Sequence, residues 1–264
     1  MKQAMKLYRY VSQSKLRMLE RDYFPIDEGG ISVFGVGITL SSNEDSPLTN
    51  RLEKLRRQLE RQNLLRFIDS DQSSNFMQGS GTFVEYLMKD VVIWIMVSKS
   101  FVLLLGGSSR YLNFDNFSKE NLPGVVPGSN RTAILNALTT LWRSVPHISN
   151  QELNKEDPWD IAWKDAMYGS VNGRQLVTEN HDNSPYNFDI IECRSIQNYY
   201  EAAVVAYSYS PDYLIDNLEH MSIVYTDYRF QQNSRTPRGV EIRQGTRFII
   251  GSPIYIAQVS PSGQ

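Results

Sequence analysis

The stretch Thr82–Leu105, TFVEYLMKDVVIWIMVSKSFVLLL, decides the fold class. It reads as strand, turn, strand, turn, strand, with Lys89-Asp90 and Ser98-Lys99-Ser100 as the turns. Val91–Val97 is almost wholly apolar, which marks a central strand covered on both faces. Phe101–Leu105 is a strand of the same kind, and it ends in the turn Gly106-Gly107-Ser108-Ser109.

Outward from this meander the chain alternates strands and helices. Toward the N-terminus, Leu7–Val11 reads as a first strand, with Ser12 or Ser14 capping a short helix through Leu16, Met18 and Leu19. Ile31–Leu40 reads as a strand. Pro47 opens the clearest helix, behind Ser46 as N-cap, with Leu48, Leu52, Leu55 and Leu59 along one face. Arg51, Lys54, Arg57 and Arg61 lie on its other faces with Glu53 and Glu60, as a solvated surface with local ion pairs does.

Toward the C-terminus, Ser129 or Asn130 caps a helix through Ile134, Leu138 and Trp142, and Asp157-Pro158 opens another. Residues 169–187 lack periodicity and read as a loop. Phe188–Arg194 reads as a strand, Ile196–Tyr207 as a helix, Pro211–Leu218 as a short helix and Ile223–Phe230 as a strand. Two final strands, Arg247–Ile250 and Ile254–Val259, close the chain. Phe248-Ile249-Ile250-Gly251-Ser252 faintly echoes the Phe101–Ser108 strand and its Gly-Ser end.

Composition sets the class. Hydrophobic residues make up 41% and charged residues 21% of the 264, a globular balance. One cysteine, Cys193, cannot form an internal disulfide and fits a reducing compartment. The opening residues have the charge but not the apolar segment of a secretory signal, and Val91–Leu105 is too interrupted to span a bilayer. A cytoplasmic protein without membrane attachment is expected. Residues 1–66 hold 12 Lys+Arg against 8 Asp+Glu and the remainder 15 against 21. That weak polarity is not a phosphate-binding stripe, and nucleic acid is not the expected partner.

The candidate chemistry is sparse. Gly106, Gly107, Ser108, Ser109 and Arg110 form a glycine turn after a buried strand, able to offer backbone N–H groups and a guanidinium to a small anion or nucleotide. A tight turn in which only glycine fits accounts for the same residues. The spacing is neither that of a P-loop nor that of a dinucleotide fingerprint. His147, His181 and His220 stand far apart, so no metal site or cofactor is expected. Gly79-Ser80-Gly81 is too short for a nucleophile elbow. Tyr8-Arg9-Tyr10 looks somewhat like the opening strand of ADP-ribosyltransferase-type folds, where an early Arg holds a nucleotide. Glu85 or Glu192 would then be the catalytic carboxylate.

Three segments together resemble an uncharacterised bacterial domain family. Leu7-Tyr8-Arg9-Tyr10-Val11-Ser12, with Lys15, Met18 and Leu19, is similar to its Tyr-x-Tyr-Val-Ser strand and Lys-Val-x-Met-Leu helix. Leu103–Ser109 resembles its central Leu-Gly-Gly-Ser-Ala turn, and Ile250–Ala257 its closing Gly-Ser/Thr-Pro-x-Tyr-Val-Ala strand. Ser109 for Ala, Tyr111 for His and the stretch at 169–187 depart from that pattern. The resemblance implies a bacterial, cytoplasmic protein and carries no activity with it.

The expected fold is α+β: a largely antiparallel sheet that can curl into a barrel, with helices packed outside, in one domain over 1–264. Two lobes, 1–115 and 116–264, sharing one core are the alternative. The expected function is a non-enzymatic interaction or sensor module with a protein partner, in a bacterial regulatory or defence assembly. The alternatives are an anion binder using the Gly106–Arg110 turn and an ADP-ribosyltransferase-like enzyme.

Overall fold

The first and the last described strands pair in one sheet. In a computed structural model that describes residues 6–23, 47–88, 90–113, 130–144, 170–171, 174–175, 188–208, 213–236 and 239–260, β1 (Lys6–Val11) pairs antiparallel with β11 (Arg247–Val259). The remaining main strands are β2 (Leu65–Phe67), β3 (Phe76–Leu87), β4 (Val91–Val97), β5 (Phe101–Ser108) and β8 (Leu214–Arg229). β6 and β7 (Ser170–Val171, Arg174–Gln175) and β9 and β10 (Ser234–Arg235, Glu241–Ile242) form two small ribbons.

The meander β3-β4-β5 is antiparallel, as its short turns require. β8 returns after a long connection to lie beside β3, which makes a Greek key. β11 then inserts between β5, to which it is parallel, and β8, to which it is antiparallel. The circuit β3-β4-β5-β11-β8 is therefore closed into a five-stranded barrel. The fold is α+β, mostly antiparallel, with helices outside.

Alternation along the strands builds three apolar layers. Val92, Trp94 and Met96 of β4 point into the barrel, where they meet Phe83, Leu103, Leu105, Ile249 and Ile256. Val91, Ile93 and Ile95 point outward against α3 (Arg131–Ser144) and α4 (Phe188–Ser208). On another outer face α1 (Gln13–Tyr23) and α2 (Pro47–Arg61) cover Tyr8, Tyr255 and Ala257. The apolar run of β4 thus has both faces buried.

α2 buries Leu48, Leu52, Leu55 and Leu59, while Lys54, Arg57 and Arg61 are exposed. Arg51 is half-buried and clamps Glu20 of α1 with two hydrogen bonds of 2.6 and 2.5 Å. The Asn130 side chain caps α3, accepting from the Ala133 N–H at 2.9 Å. Arg247, buried where β11 begins, pairs with Asp227 and donates to the Ile68 and Ser70 carbonyls, which fastens the β2–β3 link to the barrel.

Four sequence expectations are corrected. Residues 188–194 are helical: no Gly or Pro separates Phe188 from Tyr207, so the helix set by Ile196, Tyr200 and Ala203 propagates backward at little cost. Leu214–Leu218 is strand, its alternation hidden by Asn217, which takes φ +58° at a bulge opposite β3. Residues 247–259 form one continuous strand. Pro253 is tolerated because it falls at a ladder irregularity with β8 and at a change of partner on the other edge. β5 also continues to Ser108, three residues past the expected end. The expected strand at 31–40, the Ser46 cap, the helix opened by Asp157-Pro158 and most of the 169–187 loop lie outside the described residues.

Candidate functional site

Gly106, Gly107 and Ser108 are the last residues of β5, paired with Ile93, Val92 and Val91. A Cβ on Gly106 would lie 2.6 Å from Ile134 of α3, and one on Gly107 2.4 Å from the Tyr10 hydroxyl. Close approach by a helix and by an aromatic ring is therefore what the two glycines permit here. The chain turns only at Ser109–Tyr111, where the Ser109 N–H donates to the Asp90 carbonyl at 3.0 Å. Arg110 is exposed; its guanidinium stacks 4.6 Å over the Tyr111 ring and donates to that phenol at 2.8 Å.

The polar chemistry nearby sits one strand over. β5 follows β11 only through Gly251, and β1 joins the sheet only from Tyr255, with the Ser12 N–H reaching the Ile254 carbonyl. Between these partners β11 carries Ser252, fully buried. The Ser252 hydroxyl donates to the Gly106 carbonyl at 2.6 Å and accepts from Lys15 Nζ at 2.6 Å. The three segments that carry the family resemblance meet here: Tyr10, Ser12 and Lys15 from the first, Gly106 and Gly107 from the second, Ser252 from the third.

Lys15 is 7% exposed and stands in the first turn of α1, where the helix dipole already disfavours a cation. Among the described residues its hydrogen-bond partner is the neutral Ser252, and no carboxylate pairs with it. Burial pulls its pKa down to about 8. A buried ammonium with two N–H donors unused among the described residues is an open demand for negative charge. Tyr10, fully buried, holds its hydroxyl against Gly107 with Ser12 and the Ser108 backbone close by but outside hydrogen-bond geometry. The exposed Tyr225 brings a second phenol to Ser252. The cluster is rich in hydrogen-bond donors.

Other groups singled out from the sequence are engaged differently. Arg9 and Glu85 do come together: Arg9 Nη2 lies 2.8 Å from Glu85 Oε1, and Trp94 Nε1 donates to Oε2 at 2.6 Å. Both carboxylate oxygens are thus occupied. Glu192 and Cys193 lie on α4. His220 is buried inside the barrel, its Nδ1 2.9 Å from the Ser222 hydroxyl, and burial pushes its pKa down to about 3. His147 and His181 lie outside the described residues. No helix is long and apolar enough to cross a membrane, and no group of three or more His, Cys, Asp or Glu able to hold a metal occurs, in both cases among the described residues.

Lys15 and Ser252 escaped the site reading of the sequence, although both stand in the motifs that carry the resemblance. Their signal there is positional; only the fold joins residues 237 apart. A scan against protein-family models found no match, and searches of curated proteins and of solved structures found none either.

Proposed function

We propose that the protein is a non-catalytic interaction or sensor module that responds to a small anion held where β5 and β1 part from β11. The observation that carries this reading is Lys15, a buried cation facing a neutral hydroxyl and no counter-charge among the described residues. Such an arrangement is costly in the empty protein and is relieved by an anion. Tyr10 supplies a further buried donor, its hydroxyl set against Gly107. Arg110 is exposed and stacked on Tyr111.

Two features support binding of a small ligand over the other readings. Five-stranded barrels that bind oligonucleotides use the face of their second and third strands. Here the outward side chains of β4 and β5 are covered by α3 and α4. Of the two carboxylates the ADP-ribosyltransferase-like reading offers, Glu85 already accepts a hydrogen bond at each oxygen, from Arg9 and from Trp94.

Titration calorimetry with inorganic phosphate, at constant ionic strength, tests the reading. Binding is expected in the wild type and in Arg110→Ala, and is expected to be lost in Lys15→Met. Loss in Arg110→Ala with retention in Lys15→Met would move the site to the Ser109–Tyr111 turn. Absence of binding by phosphate, sulfate, dicarboxylates and nucleotides alike would overturn the anion reading and leave a protein partner as the ligand.

A further inference from the structure

The groups around Lys15 come from two bodies. Tyr10 and Lys15 belong to β1 and α1, the first strand and helix, and Ser12 joins the two, whereas Gly106, Gly107 and Ser252 belong to the barrel. β1 and α1 are attached by the β1–β11 ladder over Tyr255–Val259, by the Ser12 N–H on the Ile254 carbonyl and the Asn113 N–H on the Arg9 carbonyl, by the Arg9–Glu85, Lys6–Glu219 and Arg51–Glu20 ion pairs, by Tyr10 in the inner core, and by Leu16 and Leu19 in the outer core. Lys15 is the one charged residue among the buried side chains of α1, and docking α1 is what takes its ammonium out of water.

We propose that the bound anion is the counter-charge that latches β1 and α1 onto the barrel, so that ligand binding and docking of the first strand and helix are one linked equilibrium. The proposal rests on the anion-binding reading above and adds the element that responds. With the site empty, the buried ammonium opposes docking, and opening of β1 and α1 returns Lys15 to water. An anion contacts Lys15 and the barrel wall together only in the docked state, and a ligand with that differential affinity shifts the population toward docking. The amides of β1 and α1 then open less often, while the barrel strands β4 and β5, held by both outer and inner cores, open at an unchanged rate.

Hydrogen exchange read by mass spectrometry tests the latch, with inorganic phosphate against sodium chloride at matched ionic strength and pH 7. In the wild type, phosphate at about ten times its dissociation constant should slow exchange at Tyr8–Leu19 roughly tenfold, leaving β4 and β5 unchanged. In Lys15→Met the same amides should exchange slowly without phosphate and show no response to it. Lys15→Gln, which keeps a donor toward Ser252, serves if Lys15→Met does not fold. Phosphate binding by calorimetry with unchanged exchange in β1 and α1, or with uniform slowing everywhere, would overturn the latch and leave the anion site standing. Absence of both binding and protection would overturn the two together.

Discussion

An ammonium group removed from water keeps its charge only at a cost of several kcal/mol, and Lys15 meets that cost with one hydrogen bond to a hydroxyl. The fold holds its pKa near 8 against 10.5 in the open chain, so the unfolded state binds the proton more tightly. The penalty is therefore full below pH 8 and is relieved as pH rises toward 10.5. Across that window the stability of the empty wild type should gain up to about 3 kcal/mol relative to Lys15→Met, measurable by urea unfolding at a series of pH values. Phosphate affinity should fall over the same rise, because the ammonium is the form that binds. Ser252→Ala leaves the buried Gly106 carbonyl and Lys15 without their shared partner, and about 2–4 kcal/mol of stability should be lost. Gly107→Ala forces the Tyr10 ring to move and should cost about 1–3 kcal/mol. The glycines were legible in the sequence as positions where only glycine fits. What they face was not, because Tyr10 and Ile134 are brought there by the sheet and by α3.

Among the elements, α2 is the one whose sequence and structure agree most fully. Its leucines lie in the outer core and its exposed cations face water, so Leu55→Ala should cost about 2–5 kcal/mol, whereas the pair Arg57→Ala, Arg61→Ala should leave the unfolding midpoint nearly unchanged. The meander β3-β4-β5 was equally legible, since apolar runs between polar turns have one simple pairing. α4 and β8 were not. The first half of α4 has the local look of a strand and becomes helix by extension of the packed half, and β8 is bulged at Asn217, which breaks the two-residue period. At Gly251-Ser252-Pro253 the sequence gives a break in β11 where the backbone has none. Those residues mark a change of neighbours along one edge of a single strand, and that change of neighbours is where Ser252 meets Gly106 and Lys15.

For the whole molecule, barrel closure was legible only as a tendency, because it depends on β8 pairing with β3 across about 130 residues of intervening chain. The echo between Phe101–Ser108 and Phe248–Ser252 has a spatial counterpart: the two strands run side by side in parallel, Phe248 opposite Val102 and Gly251 opposite Leu105. Closure also predicts acid sensitivity. His220 is sealed in the barrel beside Phe83 with its Nε2 unbonded among the described residues, and its pKa near 3 in the fold compares with 6.5 in the open chain. The unfolded chain therefore gains a proton as pH falls through 6.5, and stability should decline progressively from there toward pH 3. The loss should reach at most about 5 kcal/mol, and it should be absent from His220→Leu.

The central claim is that Lys15 is kept for an anion and not for the fold. The most direct measurement is urea unfolding of wild type and Lys15→Met at pH 7, with and without inorganic phosphate. The account predicts that without phosphate Lys15→Met is the more stable protein by about 1–2 kcal/mol, the removed penalty outweighing one hydrogen bond. It also predicts that phosphate raises the wild-type midpoint alone and closes or reverses the gap. A Lys15→Met variant that is less stable than wild type without phosphate, with phosphate shifting neither protein, would contradict it.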